Sequence, residues 1–336
     1  ANIIIELMKA GKKVGVTSNS HEAIKTLLIA LEQQAESQNF EFSGMRKARS
    51  SDKYDWKFIK DITTGKPLNF DDYSLYAGTS WFFVDPRMNK ALDYLFIDEA
   101  GQVALGTTIA NATSAKNLVL IGDQMQLSQP MRAKHEGYAR MSSLDFVLED
   151  KDTIPADKGV FLNVTRRLNN KICNYISSSF YDSRLTSDPI TETRSVILKL
   201  DPIKNEGLFY VPIEHSGCSQ RSDEEADLVE KTYNKIINKE FKAGKNIGKI
   251  SSKDIMVVAP YNAQANNIRE RLKKEYDDVR VGTIDLFQGQ EAKVVLISMT
   301  TSDVESLPRH KDFFFSRNRL NVAISRAECV AIIIFN

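Results

Sequence analysis

A chain of 336 residues, 42% of them hydrophobic and 26% charged, is long enough for two domains and has an ordinary globular composition. A formal net charge of +1 excludes a globally basic nucleic-acid binder and leaves room only for a local basic cleft. Cys173, Cys218 and Cys329 are isolated, odd in number and without metal-ligand spacing, and no apolar run reaches membrane-spanning length; a reducing, cytoplasmic setting with no membrane partner is expected.

Residues 2–11 read as the body of an amphipathic helix that ends at a glycine with no N-cap before it. The sequence is therefore expected to begin in the middle of an element. Residues 13–20 (Lys-Val-Gly-Val-Thr-Ser-Asn-Ser) read as a strand opening into hydroxyl and amide side chains, and residues 21–31 carry apolar side chains at helical spacing. A strand, a polar turn and a helix N-terminus suit phosphate contact; plain N-capping by Ser18 or Ser20 explains the same residues. Residues 36–73 lose the pattern and are expected to form a small, mostly helical insertion. Residues 75–83 read as a strand with a Gly-Thr-Ser break.

Residues 94–100 (Tyr-Leu-Phe-Ile-Asp-Glu-Ala) and 117–123 (Asn-Leu-Val-Leu-Ile-Gly-Asp) are short apolar runs that end abruptly in carboxylates. Buried parallel strands look like this when they deliver acids to the carboxyl edge of a sheet, where open α/β folds bind ligands. The pair Asp98 and Glu99 suits nucleotide hydrolysis, one holding Mg²⁺ and the other orienting or deprotonating a water. A solvated Asp-Glu pair at a strand end is the plain alternative. Helices are expected near 103–112 and 142–148, and residues 133–159 are a candidate connection between domains.

A second alternating unit starts near residue 160. It contains helices at 170–180, 224–239 and 264–276, strands at 254–261, 294–298 and 330–335, a strand with a Gly-broken turn over 281–291, and an exposed loop at 182–193. Residues 319–327 form a helix on which Arg319 and Arg326, seven apart, lie close to one face. Such alternation predicts parallel sheets with right-handed crossovers, in domains spanning 1–150 and 151–336.

Six segments carry a family resemblance: 16–21 (Val-Thr-Ser-Asn-Ser-His), 96–102 (Phe-Ile-Asp-Glu-Ala-Gly-Gln), 120–127 (Leu-Ile-Gly-Asp-Gln-Met-Gln-Leu), 258–264 (Val-Ala-Pro-Tyr-Asn-Ala-Gln), 283–291 (Thr-Ile-Asp-Leu-Phe-Gln-Gly-Gln-Glu) and 319–327 (Arg-Leu-Asn-Val-Ala-Ile-Ser-Arg-Ala). In this order they resemble six successive motifs of superfamily 1 helicases, in the branch of the nonsense-mediated-decay helicases and the replication nuclease-helicases. The resemblance implies an α/β fold of two tandem RecA-like P-loop NTPase domains, with ATP and Mg²⁺ between them and a single strand running across both.

Residue by residue, it makes Asp98 the Mg²⁺ ligand and Glu99 the activator of the attacking water. Gln126 is similar to the glutamine that senses the γ-phosphate. Arg167 and Arg326 resemble the two arginine fingers, with Arg166 an alternative to Arg167. Gly289 and Glu291 resemble the motif at the γ-phosphate and the ribose. Thr17, Ser18, Asn19, Thr79, Pro260, Tyr261 and Thr283 sit where the family contacts a single strand. Tyr261 would stack on a base or pack under the strand end, and Arg319 could be only a salt-bridge partner.

The family's phosphate loop ends Gly-Lys-Thr, and no such segment occurs in these residues. Residues 1–11 resemble the helix that follows that loop. The first domain is thus expected to lack its first strand and main triphosphate anchor, and the chain as given to hydrolyse ATP negligibly. Further domains, including a nuclease, are expected upstream. The resemblance implies 5′-to-3′ movement, and residues 165–173 look closer to bacterial nuclease-linked relatives, which favours DNA over RNA. Two other readings are an ATP-independent scaffold of helicase-like fold and a metal nuclease at Asp285, Glu291 and Lys293. Intact acids and arginines speak against the first, and the short spacing within a turn against the second.

Overall fold

Alternating apolar strands and amphipathic helices build two main sheets, each parallel throughout, one in each half of the chain. The computed structural model describes residues 1–49, 51–63, 72–127, 136–149, 151–198, 200–302 and 316–336. It divides into two compact units. The first comprises the described parts of 1–124 and 128–150; the second comprises Met125–Leu127 and the described parts of 151–336. Residues 64–71 of the expected insertion, and 133–135 and 150 of the expected connection, lie outside the described residues. Among the described residues no helix is long and apolar enough to cross a membrane.

The first sheet has six parallel strands, β1 (Val14–Thr17), β2 (Gly44–Lys47), β3 (Ile59–Ile62), β4 (Leu75–Ala77), β5 (Leu92–Ile97) and β6 (Ala115–Leu120), in the order β3-β2-β4-β1-β5-β6. On one face, α1 (Asn2–Lys9) buries Ile4, Ile5 and Met8, and α2 (His21–Ser37) buries Ile24, Leu28, Leu31 and Ala35 at helical spacing. They pack on Val14, Val16, Leu75, Ala77 and Phe96. Ser20 caps α2, its hydroxyl accepting from the Ala23 amide at 3.0 Å. Short helices α3 (Ser80–Phe83), α4 (Leu105–Ala112) and α5 (Ser143–Leu148) complete this unit.

Two expectations are corrected here. The described part of 36–73 is not mostly helical, since it supplies β2 and β3, which extend the sheet. Both strands are four residues long and mix charged with apolar side chains, so neither shows a strand's usual signature. The apolar run at 117–121 is not buried. It forms β6 at the edge of the sheet, where Lys116, Asn117 and Leu118 are exposed, because among the described residues only β5 pairs with it.

The second unit opens with a short parallel pair, β7 (Val164–Thr165) and β8 (Thr186–Ser187). A three-stranded antiparallel sheet follows, made of β9 (Arg194–Val196), β11 (Glu240–Ala243) and β12 (Asn246–Lys249). The main sheet contains β10 (Gly207–Pro212), β13 (Ile255–Val258), β14 (Arg280–Gly282), β15 (Ala292–Ser298) and β16 (Ala327–Phe335), all parallel, in the order β10-β16-β15-β13-β14. Helices cover both faces. On one, α7 (Asp223–Ile236) and α8 (Asn262–Leu272) pack on Val257, Leu296, Val330 and Ile332. On the other, α6 (Asn170–Phe180) and α9 (Arg317–Ser325) pack on Val258, Val295, Ala331 and Ile333 together with Met125 and Leu127. Each buried aliphatic side chain contributes about 1.5–3 kcal/mol of transfer free energy, so the two-faced burial of β15 and β16 makes them the central stabilising strands.

Candidate functional site

Asp98 stands where β5 ends, its amide donating to the Thr17 carbonyl of the neighbouring β1 at 2.9 Å. Glu99 takes a left-handed conformation (φ 54°, ψ 41°), uncommon for a residue with a Cβ and associated with functional turns. The Ala100 amide then donates to the Ile121 carbonyl at 2.8 Å. The two acidic loops are packed backbone to backbone: a Cβ on Gly101 would lie 2.8 Å from the Asp123 carbonyl oxygen, and one on Gly122 would lie 2.8 Å from the Ala100 nitrogen. The Asn19 side-chain amide donates to the Gln102 carbonyl, tying the first turn to this pair. Burial pushes the Asp98 carboxyl above the ordinary aspartate range, against the opposing pull of the Glu99 amide.

Among the described residues no three His, Cys, Asp or Glu side chains gather as a metal cluster. Of the hydroxyl run after β1, Thr17 and Ser18 are 1% and 2% exposed, their hydroxyl oxygens buried without a hydrogen-bond partner. The strand's burial continues to Ser18, and Asn19 and Ser20 are the residues of this run that reach the surface. Thr79 is half-buried just before α3.

In the second unit the expected residues separate to opposite edges of the sheet. At the amino edge Arg326, 3% exposed, precedes β16 and donates to the Gln290 carbonyl at 3.0 Å and to Gln126 Oε1 at 3.4 Å. Arg167 Nε donates to Glu291 Oε2 at 2.7 Å and its Nη1 to the Ser325 carbonyl at 3.4 Å. Arg166 points elsewhere: its side chain is 85% exposed and pairs with Asp188 at 3.4 Å. The Gln126 segment is held by α9, with Asn318 donating to the Gln126 carbonyl at 2.7 Å and the buried Asn321 to the Met125 carbonyl at 2.8 Å. Gly289 adopts φ 71° with open space around it, so conformation and not crowding calls for glycine there. Arg280, which the sequence reading did not single out, donates to the Glu291 carbonyl at 3.0 Å and to Gln290 Oε1 at 2.9 Å.

At the carboxyl edge stand Pro260 and Tyr261 after β13, Thr283 after β14, and residues 299–302 after β15. Tyr261 is half-buried; burial raises its phenol pKa while a hydrogen bond with Thr301 lowers it, so the ring is held at the strand end. Arg319 makes a bidentate pair with Asp285 at 2.9 and 3.3 Å, the salt-bridge role left open by the sequence. Behind this edge lies a buried network that the sequence reading missed. Glu225 accepts from the Ser298 hydroxyl (2.5 Å) and the Thr300 amide (2.8 Å), and His215 Nε2 lies 3.0 Å from its other oxygen. Gln264 donates to Ser298 Oγ, and Ser302 meets His215 Nδ1 at 2.8 Å. A signal existed: Glu225 lies one turn before Val229 on the apolar stripe of its helix.

Two parallel α/β sheets with carboxylates at the edge of one and arginines at the edge of the other define a RecA-like NTPase architecture. A family model described as "AAA domain" matches residues 142–336. The "DNA polymerase alpha-associated DNA helicase A" of Schizosaccharomyces pombe is 30% identical over 287 residues, covering 82% of this chain and 41% of that protein. A DNA replication ATP-dependent helicase/nuclease of the same yeast is 23% identical over 361 residues, covering 98% of this chain and 25% of its own length. The fold is shared with an arterivirus nonstructural protein 10 helicase solved in complex with DNA (TM-score 0.50, 13% identity, 98% of this chain and 57% of that one). The chain belongs to the AAA-domain family, within which it has the make-up of a superfamily 1 helicase core. It spans about two fifths or less of the length of these relatives.

Proposed function

We propose that these residues form the core of an ATP-dependent motor that moves along single-stranded nucleic acid. The observation that carries the reading is the amino-edge cluster, in which Arg167 and the buried Arg326 are fixed beside Gln126, Gln290 and Glu291. ATP with Mg²⁺ supplies the phosphoanhydride whose cleavage drives such a motor. Asp98 would hold the cation through one carboxylate, and Glu99, fixed on its left-handed turn, would orient and deprotonate the attacking water. Arg167 and Arg326 would neutralise charge developing on the γ-phosphoryl oxygens, as planar guanidinium groups can at two points at once. Gln126, tied to α9 and to Arg326, would report phosphate occupancy to that helix and that arginine. Gly289 and Glu291 would complete the contacts near the triphosphate and ribose.

Asn19, Thr79, Pro260, Tyr261 and Thr283 would line the strand, with Thr17 and Ser18 supporting the turn from beneath. The name of the fission-yeast relative supports DNA over RNA. Movement from 5′ to 3′ is proposed from the motif resemblance, as is a nuclease domain elsewhere in a longer chain. Three free cysteines support a cytoplasmic setting.

The test is ATP turnover by the chain joined to an upstream phosphate loop, with and without single-stranded DNA or RNA, beside a Glu99→Gln variant. Stimulation by one nucleic acid and a fall of roughly 10²–10⁴-fold in the variant are expected. Strand binding without ATP binding or turnover would replace the motor by the scaffold reading.

A further inference from the structure

The carboxyl edge of the first sheet carries a side chain that none of the roles above uses. Trp81 is 85% exposed, more than any other large hydrophobic residue among those described. It stands in α3, and its two successors, Phe82 and Phe83, are both buried. The turn beneath is tight, since a Cβ on Gly78 would sit 2.9 Å from Phe82 Cβ. From the other side the buried Asn111 donates to Ser80 Oγ at 3.0 Å. The backbone under Trp81 is therefore clamped, and its indole is presented by anchored neighbours.

The location limits what this ring can meet. β4 pairs in parallel with β1, Val16 opposite Ala77, and the Gly78 amide donates to the Val16 carbonyl at 3.2 Å. The Trp81 turn and the turn at 18–21 thus leave neighbouring strands at one edge. At that second turn stand the exposed Asn19 and Ser20 and the first amides of the 17-residue α2, donors suited to a phosphate. Asp85, the nearest carboxylate in the sequence, is tied by two hydrogen bonds (2.9 and 2.6 Å) to Arg87, so it does not present a bare negative charge to a phosphodiester.

We propose that Trp81 is a base-stacking platform for the single strand of the motor proposed above, on which this inference rests. One base lies on the indole while the adjoining phosphate meets the 18–21 turn. Stacking of this kind accepts any base, because every base has a π-face.

The experiment uses fluorescence in a Trp56→Phe background, leaving Trp81 as the sole tryptophan. Acrylamide quenching is measured without and with a fifteen-residue oligo-dT or oligo-U, and affinities are measured for Trp81→Ala and Trp81→Phe. Strong quenching that falls several-fold on adding the oligonucleotide is expected. Trp81→Ala should weaken binding by about tenfold and Trp81→Phe by no more than about twofold. If the parent binds oligonucleotide while quenching and Trp81→Ala affinity stay unchanged, the platform is wrong and the strand-binding reading stands. Shielding from acrylamide before any oligonucleotide is added also overturns the platform, because another part of the protein then covers the ring. If the parent binds neither oligonucleotide, the strand-binding reading fails and the platform with it.

Discussion

The two edges of the second sheet handle charge in opposite ways. At the carboxyl edge Glu225 is fully buried, and its oxygens are met by Ser298, the Thr300 amide and His215, all within one unit. At the amino edge Arg167 and Arg326 are held by carbonyls, an amide oxygen and one half-exposed carboxylate, on the loops that carry the motif residues. A charge locked among fixed buried partners supports the fold, and its loss leaves those partners desolvated and unpaired. A charge held on loops at a sheet edge can be transferred to a ligand at small cost. Two similar-looking clusters should therefore separate cleanly into a stability site and an activity site.

The largest effect is expected at Arg326. In a chain with its phosphate loop, Arg326→Ala should lower turnover on the order of 10³-fold or more, without rescue by lysine. Steady-state kinetics at saturating ATP would show it, and a loss under tenfold would deny the arginine its role. Next comes Glu225→Ala, expected to remove about 3–5 kcal/mol of stability in urea unfolding of the second unit. A loss below about 1 kcal/mol would erase the contrast between the edges. Arg167→Ala should cost roughly 10²-fold in turnover. Arg166→Ala, which breaks only an exposed pair, should cost at most about 1 kcal/mol in stability and leave turnover within about twofold. Equal losses at the two positions would mean that both act on the phosphate.

The smallest effect concerns Asp98, whose folded-state pKa lies above its unfolded value through burial. A raised carboxyl pKa contributes stability at low pH that is lost as pH rises through the folded value, so the ionised form opposes folding at neutral pH. Asp98→Asn should then slightly raise the melting temperature at pH 7, and the gain should vanish in acid. A lowered melting temperature at pH 7 would reverse the sign assigned to this burial.

Much of this was legible because parallel strands buried on both faces leave continuous apolar runs, as in β15 and β16, and because α6 begins at a strong Asn cap and keeps its spacing to Phe180. The strands β2 and β3 were not legible: sequences such as Gly-Met-Arg-Lys and Ile-Lys-Asp-Ile are too short and too charged to show a period. The family resemblance brought Arg326 and Gln126 into view but could not say that Thr17 and Ser18 are buried, because burial at a strand end is set by neighbouring strands distant in sequence. It also could not choose between Arg166 and Arg167. In the structure Arg167 pairs with Glu291 and Arg166 with Asp188.

The segment from Thr283 to Glu291 leaves the carboxyl edge after β14 and returns at the amino edge to begin β15. Between those ends the chain is folded into two successive turns, the Leu286 amide donating to the Thr283 carbonyl at 3.0 Å and the Gln290 amide to the Phe287 carbonyl at 3.1 Å. One short, internally hydrogen-bonded piece of chain thus carries a residue of each edge, Thr283 at its start and Glu291, which holds Arg167, at its end. The two edges are near neighbours along the covalent chain although they stand at opposite ends of the strands.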